Sequence, residues 1–278
     1  MQRRSFAFGL AAVPFFAQAQ PLADWRAIEA GSGGRLGVAV LDTAGGPMQG
    51  WRMDERFPMC STFKWLASAF VLHRVDKGQE QLDRRIRYGR EVLLPHSPVT
   101  EKHVDGGMTL AELCAATITV SDNAAANLIL RTYGGPAALT RYARSLGDRQ
   151  TRLDRYEPQL NEAKPGDPRD TTTPRAMAGA LRTALVGDAL SPASREQLAR
   201  WMEATSTNGK RLRADLPAGW RMGSKTGTGA RGSTNDVGIF WPPGRPPVIV
   251  AVYLTQTGAP EDARNAAVAA VARAVTRS

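Results

Sequence analysis

The chain has 278 residues, enough for one large domain or two modest ones. A hydrophobic content of 42% and a charged content of 22% suit a soluble globular protein, and no segment after the N-terminus has the length of a membrane span. The net charge of +10 comes from scattered arginines without interleaved aromatic residues. It predicts a solvated basic surface that favours anionic small substrates, rather than a nucleic-acid groove.

The N-terminus has the three parts of an export signal. Arg3 and Arg4 form the charged start, residues 6–16 the apolar run, and Ala17-Gln18-Ala19 a small-residue cleavage site. The arginine pair fits a twin-arginine signal as well as an ordinary secretory signal, and both stay open. We therefore predict that residues 1–19 are a signal peptide and that the mature chain is periplasmic or secreted.

Strand patterns lie at both ends of the remaining chain, and helical patterns fill its middle. In chain order they predict a helix over 22–31, strands over 35–42 and 48–53, helices over 61–78, 109–116, 122–132, 136–146, 173–187 and 191–205, strands over 219–227, 234–241 and 248–256, and a helix over 260–276. The segment 154–172 is a long polar loop, and loops of this length are usually functional or disordered.

This order predicts an α/β domain joined to an all-α domain. Residues 20–53 and 212–278 would supply an antiparallel sheet flanked by terminal helices. Residues 54–211 would form the inserted helical domain and would include a loop over 155–170.

A serine and a lysine three residues apart open the first long helix. The free N–H groups and positive end of that helix would surround the Ser61 hydroxyl. Lys64 would lie one turn away on the same face, which puts an amine beside the hydroxyl as an activated nucleophile needs. Because Ser-x-x-Lys arises by chance about once in a chain of this composition, the pair alone does not establish catalysis.

Two further motifs each have a structural and a functional interpretation. Ser121-Asp122-Asn123 either caps the following helix or aims a hydroxyl and an amide into a cleft. Lys225-Thr226-Gly227 is either an exposed sheet edge or a strand that holds a carboxylate close to its backbone.

The long loop contributes a carboxylate and an amide four residues apart. Glu157 and Asn161 could grip one water molecule, although ordinary solvation would also explain them.

Two cysteines, Cys60 and Cys114, permit one disulfide without requiring it. The histidines His73, His96 and His103 are isolated, so no cluster has the spacing of a metal site. We therefore expect no metal and no other cofactor.

The four short signals occur in one order: Ser-x-x-Lys, Ser-Asp-Asn, Glu-x-x-x-Asn and Lys-Thr-Gly. Chance co-occurrence in this order falls below about one in a thousand. With this order the chain resembles the class A serine β-lactamases over nearly all of its mature length. The resemblance implies the fold of serine β-lactamases and penicillin-binding proteins, hydrolysis of penicillins and cephalosporins that confers resistance, a small-molecule β-lactam substrate, no nucleic-acid partner, no membrane span and a monomer.

The resemblance also implies catalytic roles. Ser61 would attack the lactam carbonyl, and the backbone N–H groups of Ser61 and Thr228 would form the oxyanion hole. Lys64, or Glu157 through a water, would take the serine proton. Ser121 would relay a proton to the departing ring nitrogen. Together with Asn161, the Glu157 carboxylate would then direct a water onto the acyl-enzyme. The residues expected to bind substrate are Asn123, Lys225, Thr226, Thr228, Arg211, His96 and Arg264.

The resemblance implies a closed omega loop over 155–170. Arg155 and Asp170 match an ion pair that closes this loop in the family, and Pro158 matches a position where the preceding peptide is commonly cis.

Several departures from the family pattern affect substrate preference. Many members have an arginine where this chain has Thr234; Arg211 matches a substitute arginine of other members, and Arg264 is a further candidate. His96 replaces an aromatic residue that usually walls the cleft. Arg211 together with Thr228 favours a broad spectrum.

The cysteines match halves of two different family disulfides. The partner position of Cys114 is Ser68, and that of Cys60, in carbapenem-hydrolysing members, is Gly229. We therefore predict no disulfide and no preference for carbapenems.

Two other interpretations share the serine, lysine and Lys-Thr-Gly motifs. A penicillin-binding DD-peptidase, or a β-lactam sensor that does not hydrolyse its ligand, would become acylated and stop there. Both would lack the Glu157-to-Asn161 segment, so we expect a hydrolase.

Overall fold

The computed structural model describes residues 23–277, so the predicted signal peptide lies outside the described part. The strands are β1 (Arg35–Asp42), β2 (Gln49–Trp51), β3 (Phe57–Pro58), β4 (Arg85–Ile86), β5 (Met108–Thr109), β6 (Thr171–Thr172), β7 (Arg221–Thr228), β8 (Thr234–Trp241) and β9 (Val248–Thr255). The helices are α1 (Trp25–Ser32), α2 (Phe63–Asp76), α3 (Leu110–Thr119), α4 (Asn123–Thr132), α5 (Gly135–Ser145), α6 (Pro174–Leu185), α7 (Pro192–Glu203) and α8 (Glu261–Thr276).

The main sheet joins the two ends of the described chain. Its five antiparallel strands run in the order β2-β1-β9-β8-β7, and the register pairs Arg35 with Thr255 and Thr228 with Thr234. The expected α/β part with an inserted helical part is therefore confirmed, and β7 is the sheet edge that faces the helices. The domain boundaries at 53/54 and 211/212 stay predictions.

Side chains alternate across β1 between two apolar cores. Leu36, Val38 and Val40 pack under α1 and α8 in one core, whereas Ala39 points to the other, which contains the helical insertion. At Gly37 a Cβ would stand 2.4 Å from the ring of Phe57, so a glycine is needed for this close approach. Both faces of the sheet are thus covered.

The helix α2 lies at the centre of the helical part. It is buried on nearly all sides, and it packs against α3, α4, α5 and α7. Ser61 does not lie within it: a single 3-10 turn, Cys60–Thr62, comes first, and α2 begins at Phe63. The prediction of one helix from Ser61 to Gly78 was therefore too long at both ends.

No helix among residues 23–277 is long and apolar enough to cross a membrane.

Candidate active site

A cleft of about 390 Å³ lies between the edge strand β7 and the helical part. All four predicted motifs contribute to this region, although they are far apart in sequence. The cleft is lined by Ser61, His96, Ser121, Asn123, Asn161, Thr207, Arg211, Thr226, Gly227, Thr228 and Glu261.

Ser61 is held against the edge strand. Its Oγ donates a hydrogen bond to Glu157 Oε1 over 3.0 Å. At Gly227 a Cβ would lie 2.8 Å from Met59 O and 3.2 Å from Ser61 N, so a glycine lets the strand backbone approach the serine. The nucleophile candidate and the strand that would bind substrate are therefore in contact.

Lys64 occupies a buried polar pocket behind Ser61. Its ammonium is fully buried and lies 3.1 Å from Glu157 Oε1; it donates to Asn123 Oδ1 over 2.7 Å and to Ser121 O and Oγ over 2.8 and 3.2 Å. Burial lowers the pKa of Lys64, and the charge of Glu157 opposes this shift. One lysine thus links three of the four motifs.

Glu157 is fixed through its backbone as well as its side chain. Asn127 accepts a hydrogen bond from Glu157 N over 3.0 Å and donates to Glu157 O over 2.9 Å. The Glu157–Pro158 peptide is cis, as expected, and Asn161 Nδ2 donates to Glu157 Oε2. The two carboxylate oxygens therefore face different partners, Ser61 and Lys64 on one and Asn161 on the other.

Asn127 was missed by the sequence analysis. It lies one turn after Asn123 on α4, the spacing that places both amides on one helix face. That spacing could have identified it.

The predicted ion pair closes the omega loop. Arg155 Nε lies 2.5 Å from Asp170 Oδ2, and Asp170 Oδ1 also accepts hydrogen bonds from the backbone N–H groups of Asp154 and Arg155. Because Asp170 is buried, losing these partners would leave a charge without solvation. The two ends of the segment that carries Glu157 are therefore fastened together.

Asp122, not Ser121, caps the helix α4. Its carboxylate accepts from Ala125 N within the helix and from Val99 N, Thr100 N and Thr100 Oγ1 outside it. Ser121 has a left-handed backbone with φ of 62°, and its hydroxyl reaches Lys64 Nζ. Within this motif, Asp122 therefore has the structural role of a helix cap, whereas Ser121 lines the cleft.

The opposite wall of the cleft is basic. Lys225 is fully buried in β7, which lowers its pKa well below the usual value, and the charge of Lys64 acts in the same direction. Thr226 Oγ1 lies 2.6 Å from Thr207 Oγ1. The Lys225 ammonium donates to Thr226 O over 2.8 Å, and Thr226 and Thr228 line the cleft next to it.

Arg211 fixes the end of this wall. It donates to Gly227 O and Asn235 O over 3.0 and 2.9 Å and to Thr228 Oγ1 over 2.8 Å, while Asn265 accepts from its Nε. Burial lowers its pKa. Arg211 thus places a buried guanidinium at the end of β7, held by four hydrogen bonds within the protein.

The other two binding candidates differ in position. His96 lines the cleft, with Nε2 2.8 Å from Val120 O. Arg264 on α8 does not line it, and its Nε is buried without a hydrogen-bond partner among the described residues. The lining residues Thr207 and Glu261 were not anticipated, because no short motif marks either one.

Both cysteines are free and buried, and burial raises the pKa of each thiol to about 12. A Cβ at Gly229 would lie 2.6 Å from Cys60 Sγ. Among residues 23–277 there is no group of three or more His, Cys, Asp or Glu side chains that could hold a metal.

Comparisons with known proteins agree on one family. The model of the β-lactamase enzyme family matches residues 21–278. The chain is 46% identical over 268 residues to β-lactamase CTX-M-8 of Citrobacter amalonaticus. The aligned region covers 96% of this chain and 92% of the relative. An ancestral (GNCA) class A β-lactamase is 65% identical, with a TM-score of 0.89 over 91% of this chain and 97% of that one. A putative class A β-lactamase, PenP of Rhodopseudomonas palustris, is 60% identical, with a TM-score of 0.90 over 91% and 97%.

Proposed function

Because this chain belongs to the β-lactamase enzyme family and, as a class A member, hydrolyses the β-lactam ring and confers resistance, we propose that the reaction proceeds through an acyl-enzyme on Ser61. The observation that carries this proposal is the 3.0 Å hydrogen bond from Ser61 Oγ to Glu157 Oε1. It joins a nucleophile and a base at hydrogen-bond distance inside a cleft.

In the acylation step, Ser61 Oγ attacks the lactam carbonyl and Glu157 accepts the proton. Glu157 is the group that accepts the serine hydrogen bond, whereas Lys64 touches the carboxylate and not the serine. Lys64 stabilises the negative charge of that carboxylate in a buried site. The carbonyl oxygen binds the backbone N–H groups of Ser61 and Thr228, each worth about 3 kcal/mol in the transition state.

Ser121 then passes a proton to the ring nitrogen as the C–N bond breaks. Lys64, which contacts both Glu157 and Ser121, transfers to Ser121 the proton that Glu157 took from Ser61, so that Glu157 is again free to act as a base. Support comes from the Ser121 hydroxyl, which lies 3.2 Å from Lys64 Nζ, so that a proton can move along this pair. Asn123 lines the cleft beside it and would bind the amide side chain of the substrate.

In the deacylation step, Glu157 and Asn161 orient a water that attacks the ester. Asn161 Nδ2 holds Glu157 Oε2, which keeps that carboxylate pointed at the serine. General-base help of this kind is worth about a hundred- to ten-thousand-fold in rate.

The substrate carboxylate binds along β7. Thr226 and Thr228 line the cleft, and Arg211 donates to Thr228 Oγ1. A bound carboxylate would oppose the burial that lowers the pKa of Lys225, and would thereby favour the charged form of this lysine. Arg264 would contribute only long-range charge, and His96 would form a wall.

The two alternatives have no support in these findings. A penicillin-binding DD-peptidase or a non-hydrolytic sensor needs no carboxylate beside the acylated serine. This chain fixes Glu157 there with three contacts to its carboxylate and two hydrogen bonds to its backbone.

Export outside the cytoplasm, action as a monomer and a broad spectrum without carbapenem preference belong to the same proposal. The expectation about carbapenems is supported by Cys60, which faces a glycine instead of a second cysteine.

Turnover of a chromogenic cephalosporin tests the proposal. We expect many product molecules per enzyme, and a decrease of at least ~10³-fold in Ser61→Ala. The matched variant Ser68→Ala, which alters a buried serine seven residues on in α2, should retain turnover. One product molecule per enzyme followed by arrest would contradict the proposal.

A further inference from the structure

A second pocket lies behind the omega loop, away from the catalytic cleft. It has a volume of about 390 Å³ and does not share a residue with the cleft. One side is the loop itself, from Leu160 to Pro168, and the other is formed by the start of β1, β3 and the end of β9. The catalytic proposal makes no use of it.

The charged side chains around this pocket are mostly cations. Its lining contains five of them and only two carboxylates, Glu55 and Asp167. The cations are Arg35, Arg56, Arg155, Lys164 and Arg169.

Three of the five cations are already neutralised. Arg35 Nη1 lies 3.0 Å from Glu55, Arg169 Nη2 lies 2.6 Å from Asp167, and Arg155 contacts Asp170 over 2.5 Å. These pairs give the pocket its shape and leave little charge for a ligand.

The other two cations, Arg56 and Lys164, form no ion pair within the described part of the chain. The Arg56 guanidinium donates to neutral acceptors only: Gln150 O over 2.8 Å, Gln150 Oε1 over 2.9 Å and Thr171 Oγ1 over 3.1 Å. These contacts orient the guanidinium but do not cancel its charge. Lys164 lies on the loop side of the same pocket.

We propose that this pocket binds a small multivalent anion, of phosphate or carboxylate type, between Arg56 and Lys164. Two cations without an ion-pair partner among residues 23–277, on opposite walls of a partly enclosed pocket, suit a ligand with two or more negative charges. An oriented guanidinium favours oxygen pairs, because its fork binds phosphate or carboxylate with two parallel hydrogen bonds.

The ligand would join the omega loop to the body of the protein. Lys164 belongs to the loop, whereas Arg56 precedes β3 and is anchored to Gln150 and Thr171. The loop also carries Leu160, which lines the pocket next to Asn161 of the cleft. Occupancy should therefore reduce the opening of residues 159–169.

Calorimetric titration with pyrophosphate and with citrate, at constant ionic strength, tests this inference. We expect one of the two to bind, and the variant Arg56→Gln/Lys164→Gln to weaken that binding about tenfold or more. The control Lys77→Gln/Arg141→Gln removes the same charge from exposed positions outside the pocket and should change it less than about threefold. Acetate, with one charge, should bind far more weakly.

Hydrogen exchange and inhibition kinetics distinguish binding in the pocket from a general effect of the protein's net charge. Bound anion should slow exchange of the amides in 159–169 in the wild type and not in the pocket variant. Binding of neither anion, equal weakening in both double variants, or purely competitive inhibition that the pocket variant leaves unchanged would overturn the inference. The last outcome would place the anion in the catalytic cleft. Unchanged thermal unfolding of the pocket variant ensures that a loss of binding reflects the two removed side chains.

Discussion

At the scale of single residues, the site depends on charges buried in pairs. Lys64 and Glu157 are both almost fully buried, at 0% and 2% exposure, and they are 3.1 Å apart. Either charge alone would be buried without compensation, whereas the contact between them offsets part of the desolvation cost of both. The arrangement therefore serves catalysis more than stability.

Arg211 and Arg264 are the two arginines that could replace the one missing at Thr234, and kinetics can separate them. Arg211→Gln should raise KM for a penicillin about 10- to 100-fold with little change in kcat. The substitution removes a positive charge that would attract the substrate carboxylate equally in the ground state and in the transition state. The matched variant Arg264→Gln should change KM less than about threefold, since Arg264 does not line the cleft. Steady-state kinetics at several substrate concentrations give both constants. A larger effect of Arg264→Gln would reverse the assignment.

Much of the site could be predicted from sequence, because its motifs are local. Ser61, Lys64, Glu157 and Lys225 each belong to a short pattern whose chemistry is readable, and the structure brings them to one region. Asn127 could not be recognised as readily, because its role depends on hydrogen bonds with a loop thirty residues away.

At the scale of secondary-structure elements, hydrophobic patterns predicted types better than ends. The strands β1 and β8 match their predicted limits, because both carry apolar residues on both faces and end at turns. The start of α2 was misplaced, since the backbone of Cys60 has φ of 45° and a 3-10 turn precedes the helix. The hydrophobic pattern does not predict this turn, because its backbone conformation is determined by packing against β7.

The cap residue Asp122 should be far more important than an ordinary cap. Its carboxylate satisfies three backbone N–H groups and one hydroxyl in a buried site, so Asp122→Ala should cost about 2–4 kcal/mol of unfolding free energy and reduce kcat by displacing Ser121. The matched variant Asp24→Ala removes the exposed cap of α1 and should cost about 1 kcal/mol or less without loss of kcat. Chemical denaturation and steady-state kinetics measure the two effects. Equal losses in both variants would refute the special role of Asp122.

At the scale of the whole molecule, the cleft forms where the two cores meet. The edge strand β7 belongs to the sheet, whereas Ser61, Lys64 and Ser121 belong to the helical part, so the site exists only when both are folded together. Pockets commonly form at such junctions because neither unit can fill the space alone.

Stability should depend on pH through Asp236, a fully buried residue of strand β8. Burial raises its pKa from 3.8 to about 6, the opposing charge of Arg211 notwithstanding, and its Oδ1 has no hydrogen-bond partner within residues 23–277. Because the pKa of Asp236 is higher in the folded state, the folded state binds more protons than the unfolded state between about pH 4 and pH 6. The contribution of Asp236 is therefore fully present below about pH 4 and is lost as pH rises through about 6.

The variant Asp236→Asn should isolate this effect. Relative to wild type, its unfolding free energy should increase by roughly 2 kcal/mol between pH 4 and pH 7, because a shift of one pKa unit corresponds to about 1.4 kcal/mol and part of the shift already acts at pH 4. Urea denaturation of both proteins across this range measures the difference. A difference for Asp236→Asn that falls with rising pH would contradict this account.

The most direct test of the central claim is intact-protein mass spectrometry of Glu157→Gln mixed with a penicillin or cephalosporin. The substitution keeps the shape of the side chain and removes its basicity, so hydrolysis of the ester should slow about 10²- to 10⁴-fold. Acylation by this variant should also slow, so the mixture is incubated with excess substrate for long enough for the ester to form. We predict a stable adduct of one substrate per protein, on the peptide that contains Ser61, while the wild type accumulates none at steady state. Wild-type turnover by Glu157→Gln without an adduct, or an adduct on another residue, would contradict the account.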